Sequence, residues 1–230
     1  FPETRIIRAM PKAIIFDTET TGLDAPEIIE AAWIEIKSLS PLSYGDSFAK
    51  RYKPSKRISL AALATHHILD EELTDCPPSN SFKLLKDTEY LIGHHVDYDW
   101  SVIGSPDVRR ICTLNLARSV WPELESHSQG AILYFLDRTN AKERLRNAHS
   151  AGADIRICAT ILEYICKERN IDSFEVLWQK SEDARIPTHM PFGKHKGTPI
   201  AEVPRDYARW LLDQPNVDPF VRRAFLKYAN

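Results

Sequence analysis

The chain has 230 residues, of which 43% are hydrophobic, and a formal net charge of −2. That length suits one medium domain plus a small appendage, enough to bury a core without disulfide or metal staples. The charge balance excludes a strongly basic nucleic-acid-coating protein, and no stretch approaches the roughly 18 uninterrupted apolar residues of a membrane span.

In chain order, Lys12-Ala-Ile-Ile-Phe-Asp17 is a short apolar run that reads as a buried strand, followed by a turn at Thr20–Asp24 pivoting on Gly22. Ile28–Ile36 and Ser47–Tyr52 read as two further strands of an opening meander. Ser59 is placed to cap a helix through His66, and Ser79 a helix through Lys86. Glu89–Gly93 is the next strand, with a helix from about Tyr98. From Leu114 the pattern is helical, including Gly130–Arg138, a long helix over Ala151–Arg169 and another over Ser173–Ser181. Strands first, then strand and helix in alternation, predict an α/β fold with a mixed sheet flanked by helices. Pro187–Pro191 reads as a linker before a small C-terminal module, which sets expected domains at 10–183 and 187–230. Residues 1–9, ahead of Met10, are left outside the fold reading, and Phe1–Arg8 lacks the apolar centre of a signal peptide.

Residues 1–184 carry 22 Lys and Arg against 28 Asp and Glu, whereas 185–230 carry eight against four, so an acidic body precedes a basic tail. Cys76, Cys112, Cys158 and Cys166 are scattered without a C-x-x-C pair, which predicts the reduced thiols of a cytoplasmic protein.

Four carboxylates stand out. Asp17 and Glu19 lie two apart at the end of a buried strand, so both point to one face, where their like charges raise each other's proton affinity unless a cation compensates. A solvated strand end gives the same D-x-E pattern. Asp154 precedes Ile157 by three and Cys158 by four, which puts it on the apolar stripe continued by Ile161, Leu162 and Ile165. A carboxylate on an inward face needs a metal, an ion pair or hydrogen bonds. His149, five residues ahead of Asp154, falls on the loop entering that helix and is suited to general-base work. Asp97 and Asp99 follow the Glu89–Gly93 strand, and Asp99 is preferred because the next helix opens there and would hold its side chain.

Taken together, Phe16-Asp-Thr-Glu-Thr-Thr-Gly22, Gly93-His-His-Val-Asp-Tyr-Asp99 and His149-Ser-Ala-Gly-Ala-Asp154 resemble the three motifs of the DEDDh branch of the DnaQ-like 3′–5′ exonucleases. His95 stands where that pattern has Asn, and no bulky residue follows His149. Phe192-Gly-Lys-His-Lys-Gly197 and Tyr207-Ala-Arg-Trp210 resemble the C-terminal module of the exonuclease X-like subfamily.

The resemblance implies an RNase H-like fold with a small α+β module at the C-terminus. It implies two Mg²⁺ ions (Mn²⁺ substituting) roughly 4 Å apart, held by Asp17, Glu19, Asp99 and Asp154, with His149 taking the proton of the attacking water. Thr20, Thr21, Gly22 and Leu23 would cradle the terminal nucleotide, Leu23 as a wedge against its base, with His66, His95 and Trp100 as further contacts. Local charge adds Lys194 and Lys196, with His195 between them, as phosphate contacts. The substrate implied is DNA, single-stranded or at duplex 3′ ends, in a repair setting. The same motifs also fit an RNase T-like or oligoribonuclease-like enzyme acting on RNA, and a catalytically idle nucleic-acid-binding module is the alternative of another class.

Overall fold

The computed structural model describes residues 12–228, apart from the side chain of Asn147; the expected domain start at residue 10 lies outside that range. The chain divides into two compact units between Ser181 and Glu182.

The first unit is built on a five-stranded sheet: β1 (Lys12–Thr20), β2 (Ile28–Leu39), β3 (Leu42–Arg51), β4 (Thr88–Gly93) and β5 (Arg109–Cys112), in the order β3-β2-β1-β4-β5. β1 pairs antiparallel with β2 and parallel with β4, so it is central, and Ala13–Phe16 are fully buried. A strand covered on both faces reads as a continuous apolar run. Its helices are α1 (Leu60–His66), α2 (Asp97–Val102), α3 (Thr113–Val120), α4 (Gln129–Leu136), α5 (Arg138–Arg144), α6 (Ala151–Arg169) and α7 (Phe174–Ala184), whose last turn crosses into the second unit. α6 packs on β1 and β2, burying Ile157, Cys158, Ile161, Leu162 and Ile165. Phe16 points to the opposite face, where it stacks on Phe82 at 5.7 Å.

Three expectations change. The helix from Ser79 to Lys86 is absent: only Ser79–Ser81 form a 3₁₀ turn. The Ser79 hydroxyl donates to the Ile28 carbonyl instead of capping, and Phe82 is extended (φ −58°, ψ 139°). That lets Phe82 reach Phe16 and Tyr52, so tertiary packing outweighs the local cap. Strand β5 went unread because Arg109-Arg110-Ile-Cys112 is short and half charged, yet it pairs with β4 through Tyr90↔Arg109 to Gly93↔Cys112. The third meander strand begins at Leu42, five residues earlier than expected, because Leu42–Ser47 alternate too weakly to read as a strand and pair with β2 nonetheless.

The second unit has its own core of Met190, Ile200, Val203, Leu211, Val221, Ala224 and Phe225. It contains α8 (Arg205–Leu212), α9 (Pro219–Tyr228) and a short antiparallel pairing of His189 with Pro199. The stretch 187–191 is therefore no linker: Met190 is buried and exchanges backbone hydrogen bonds with Gly197 and Thr198.

A candidate active site at the end of the central strand

Asp17 and Glu19 emerge at the C-terminal end of β1, opposite Ala32 and Glu30 of β2. They share a face with Ala13 and Ile15, as the two-residue period requires. α6 lies on that face, started by Ser150, whose side chain accepts from Ala153 N. Its first turn brings in Asp154. Carboxylate oxygens of Asp17, Glu19 and Asp154 come within 4.8 Å of one another.

Such crowding raises proton affinity. Burial, then the charges of Asp99, Asp154, Glu19 and Glu30, pushes the Asp17 carboxyl well above the usual carboxylate range. Burial and the charge of Asp154 push Glu19 to about 8. Asp154 is raised mainly by burial, against the charge of His149 and a hydrogen bond from its backbone N–H. Among the described residues none of the three joins an ion pair with Lys or Arg. Hard oxygen donors, converging and without a cationic partner, fit a divalent cation.

Asp99 is fixed differently from the expectation. It sits buried in the first turn of α2, and besides its own backbone β1 holds it: Oδ1 accepts from Thr18 N at 2.9 Å and Thr18 Oγ1 at 2.6 Å. Burial lifts its carboxyl to about 6 against those two bonds. It stands outside the three-residue cluster while adding its charge to Asp17. His149 is exposed at φ 66° on the loop before α6.

Beside Glu19 a cavity of about 280 Å³ is lined by Thr18, Thr20, Gly22, Leu23, His66 and Tyr98 among others. Leu23 is 88% exposed. Gly22 (φ 141°) lies so near Ser59 that a Cβ would sit 2.8 Å from its hydroxyl. Thr21 Oγ1 accepts from Glu27 N, which ties the loop back rather than leaving the hydroxyl free. His66 Nδ1 accepts from Ile68 N, and burial holds its imidazole below the usual range against a backbone hydrogen bond to Thr20. His95 is exposed at φ 77° between β4 and α2.

Trp100 is half-buried. Its indole N–H donates to Pro106 O, Arg110 lies over the ring at 4.0 Å, and it packs on the core, because α2 turns this residue away from the cavity that Tyr98 lines. Lys194 and Lys196 belong to the second unit, both exposed.

Two neighbours escaped the sequence reading. Tyr98 Oη shares a 2.6 Å hydrogen bond with Thr20 Oγ1 and donates to Gly22 O at 3.2 Å, and its place between two motif aspartates was the available signal. Glu30 accepts Ala151 N on Oε2 at 2.8 Å and Arg51 Nε on Oε1 at 3.3 Å, so it ties the start of α6 to the sheet. Its signal was a Glu beside the apolar Ile28, Ile29, Ala31 and Ala32. Replacing Glu30 with Ala leaves the Ala151 N–H unpaired and is expected to cost about 1–3 kcal/mol in chemical denaturation. Gln, which keeps an acceptor, recovers most of it; equal losses for Ala and Gln would remove this role.

A family model described as "Exonuclease" matches residues 14–162, and one described as a quorum-sensing-regulated virulence factor matches 183–215. Exodeoxyribonuclease 10 of Escherichia coli K12 is 27% identical over 93% of this chain and 97% of its own length. The PolC-type DNA polymerase III of Bacillus subtilis 168 is 27% identical over 67% of this chain and 11% of its own length. Among solved structures, exonuclease X in complex with 5′-overhanging duplex DNA has a TM-score of 0.59 at 24% identity, covering 74% of this chain and 99% of that one. E. coli exonuclease I in complex with a dT13 oligonucleotide has a TM-score of 0.56 at 17% identity, covering 70% and 42%.

Proposed function

The chain belongs to the exonuclease family, within the DnaQ-like 3′–5′ exonucleases, and from that premise we propose that it removes nucleotides from DNA 3′ ends at the carboxylate cluster. One observation carries the reading: carboxylate oxygens of Asp17, Glu19 and Asp154 converge within 4.8 Å of one another and, among the described residues, no Lys or Arg pairs with them. Carboxylates favour Mg²⁺ or Mn²⁺ over softer-ligand metals. Asp17, Glu19 and Asp154 would hold the ions, together with Asp99, which Thr18 anchors. Two bound ions supply a polarised phosphate, an acidified water and charge relief for the leaving 3′ oxygen.

The protein's own groups do the rest. His149, exposed beside Asp154, takes the water's proton. The Thr20–Leu23 backbone seats the terminal nucleotide, Leu23 presses on its base, and His66 lines the same cavity as a further contact. The alignment through nearly all of an exodeoxyribonuclease, C-terminal module included, supports DNA as substrate.

Mg²⁺-dependent release of mononucleotide from a 3′-labelled single strand tests the reaction, and a matched RNA tests the substrate. DNA should be degraded faster; faster RNA degradation would overturn the substrate, and no release from either the reaction. Replacing His149 with Ala should slow release roughly 10²–10⁴-fold. That deficit should narrow as pH rises and hydroxide replaces the lost base, and a constant deficit would assign His149 to binding instead.

A further inference from the structure

The second unit carries an exposed surface whose residues lie outside the carboxylate cluster. Its core is closed, with Met190, Ile200, Leu211 and Phe225 each 5% exposed or less. Yet Phe192 is 41% and Trp210 55% exposed. Trp210 is not isolated, and Phe192 adjoins Gly193 of the same loop. The His195 ring stands edge-on to Tyr207 at 4.5 Å, and Tyr207 lies 5.4 Å from Trp210, one turn further along α8.

Glycine geometry sets the arrangement. Gly193 (φ 73°) and Gly197 (φ 83°) take left-handed conformations that close the turn, with Lys196 N donating to Gly193 O at 3.1 Å. A Cβ at Gly193 would lie 2.7 Å from the Tyr207 hydroxyl, so the loop backbone rests on that ring. Exposed Lys194 and Lys196 are thereby fixed beside the aromatic row, and exposed Arg205 and Arg209 continue the positive charge along α8, against Glu202 and Asp206.

Solvent-facing rings with interleaved cations match one kind of partner. An apolar protein surface would have no use for the lysines, and a duplex hides the faces of its bases. A single strand offers both a π-face at each base and a phosphate at each step. We propose that Phe192, Trp210, Lys194 and Lys196 form a binding platform for single-stranded DNA, with bases stacked on the two rings and phosphates at the two lysines. It deepens the reading of the chain as a DNA exonuclease, and it gives the basic tail a task separate from hydrolysis.

The test uses the full chain in EDTA, so that nothing is cleaved, and the fluorescence anisotropy of a labelled dT20. Trp210→Ala should weaken binding roughly 5- to 100-fold, the range for loss of one stacking ring, and Trp210→Phe should recover most of it. Lys194→Ala with Lys196→Ala should lower the slope of log affinity against log salt by roughly 1.4. Trp210 is exposed, so its substitution leaves the core in place, and thermal melting verifies this. Unchanged dT20 affinity in both variants, failure of Phe to rescue, or an equal loss on blunt duplex would overturn the platform. Nucleotide release by the parent chain, measured in parallel with Mg²⁺, separates the two readings. Release with unchanged variant binding rejects only the platform; lost variant binding without parental release rejects only the nuclease.

Discussion

Replacing Asp17 with Asn is expected to abolish nucleotide release while making the metal-free chain more stable. Asn keeps the shape of the side chain at its register position opposite Ala32 and removes the charge. Asp17 is the most crowded member of the cluster, repelled by Asp99, Asp154, Glu19 and Glu30, so that charge is a liability to folding. The same charge is what a cation requires. Release should therefore fall on the order of 10³-fold or more, as for loss of a principal electrostatic group. Metal-free stability should rise by about 0.5–2 kcal/mol, the usual sign of a site that gives up stability for function. Asp97→Asn is the control: Asp97 pairs with Arg110 away from the cluster, and its removal should leave release within a few-fold of the parent. An Asp17→Asn chain that is inactive and also less stable would mean that Asp17 serves the fold instead.

How far the sequence foretold this molecule depended on whether each signal was local. Ala13–Phe16 announced a central strand because burial on both faces demands an uninterrupted apolar run. Ile157, Cys158, Ile161, Leu162 and Ile165 announced α6 and its inward face, and with it the direction of Asp154. What failed was information carried by partners distant in the chain. Arg109 and Arg110 look unlike a strand until β4 pairs with them. Phe82 leaves its helical register only because Phe16 and Tyr52 wait across the fold. Asp99 was assigned through its motif, but the anchor that holds it, Thr18, sits in a strand 81 residues earlier. Glu30 was missed for the same reason, since its function is a hydrogen bond to Ala151, 121 residues later.

Metal binding and pH should be coupled in the stability of the whole chain. Carboxylates whose folded-state pKa is raised stabilise the fold fully below the unfolded value of about 4, and that contribution is lost as pH climbs through the folded value. Here the folded values lie at about 6 for Asp99 and about 8 for Glu19, with Asp17 and Asp154 raised as well. The metal-free chain should thus lose stability steadily between about pH 4 and pH 8. Divalent cations bind the deprotonated ligands, so their effect must grow over that same window. At pH 8, Mg²⁺ or Mn²⁺ at about 100 times its dissociation constant should contribute about 2.7 kcal/mol, or roughly 5–10 °C in Tm. At pH 5 the shift should be close to zero, because protons occupy the oxygens the cation needs. In Asp17→Asn the pH 8 shift should shrink while the metal-free Tm rises. Melting curves with and without Mg²⁺ at the two pH values decide the matter. A cation shift that is equal at pH 5 and pH 8 would place the bound metal on some other group of the protein.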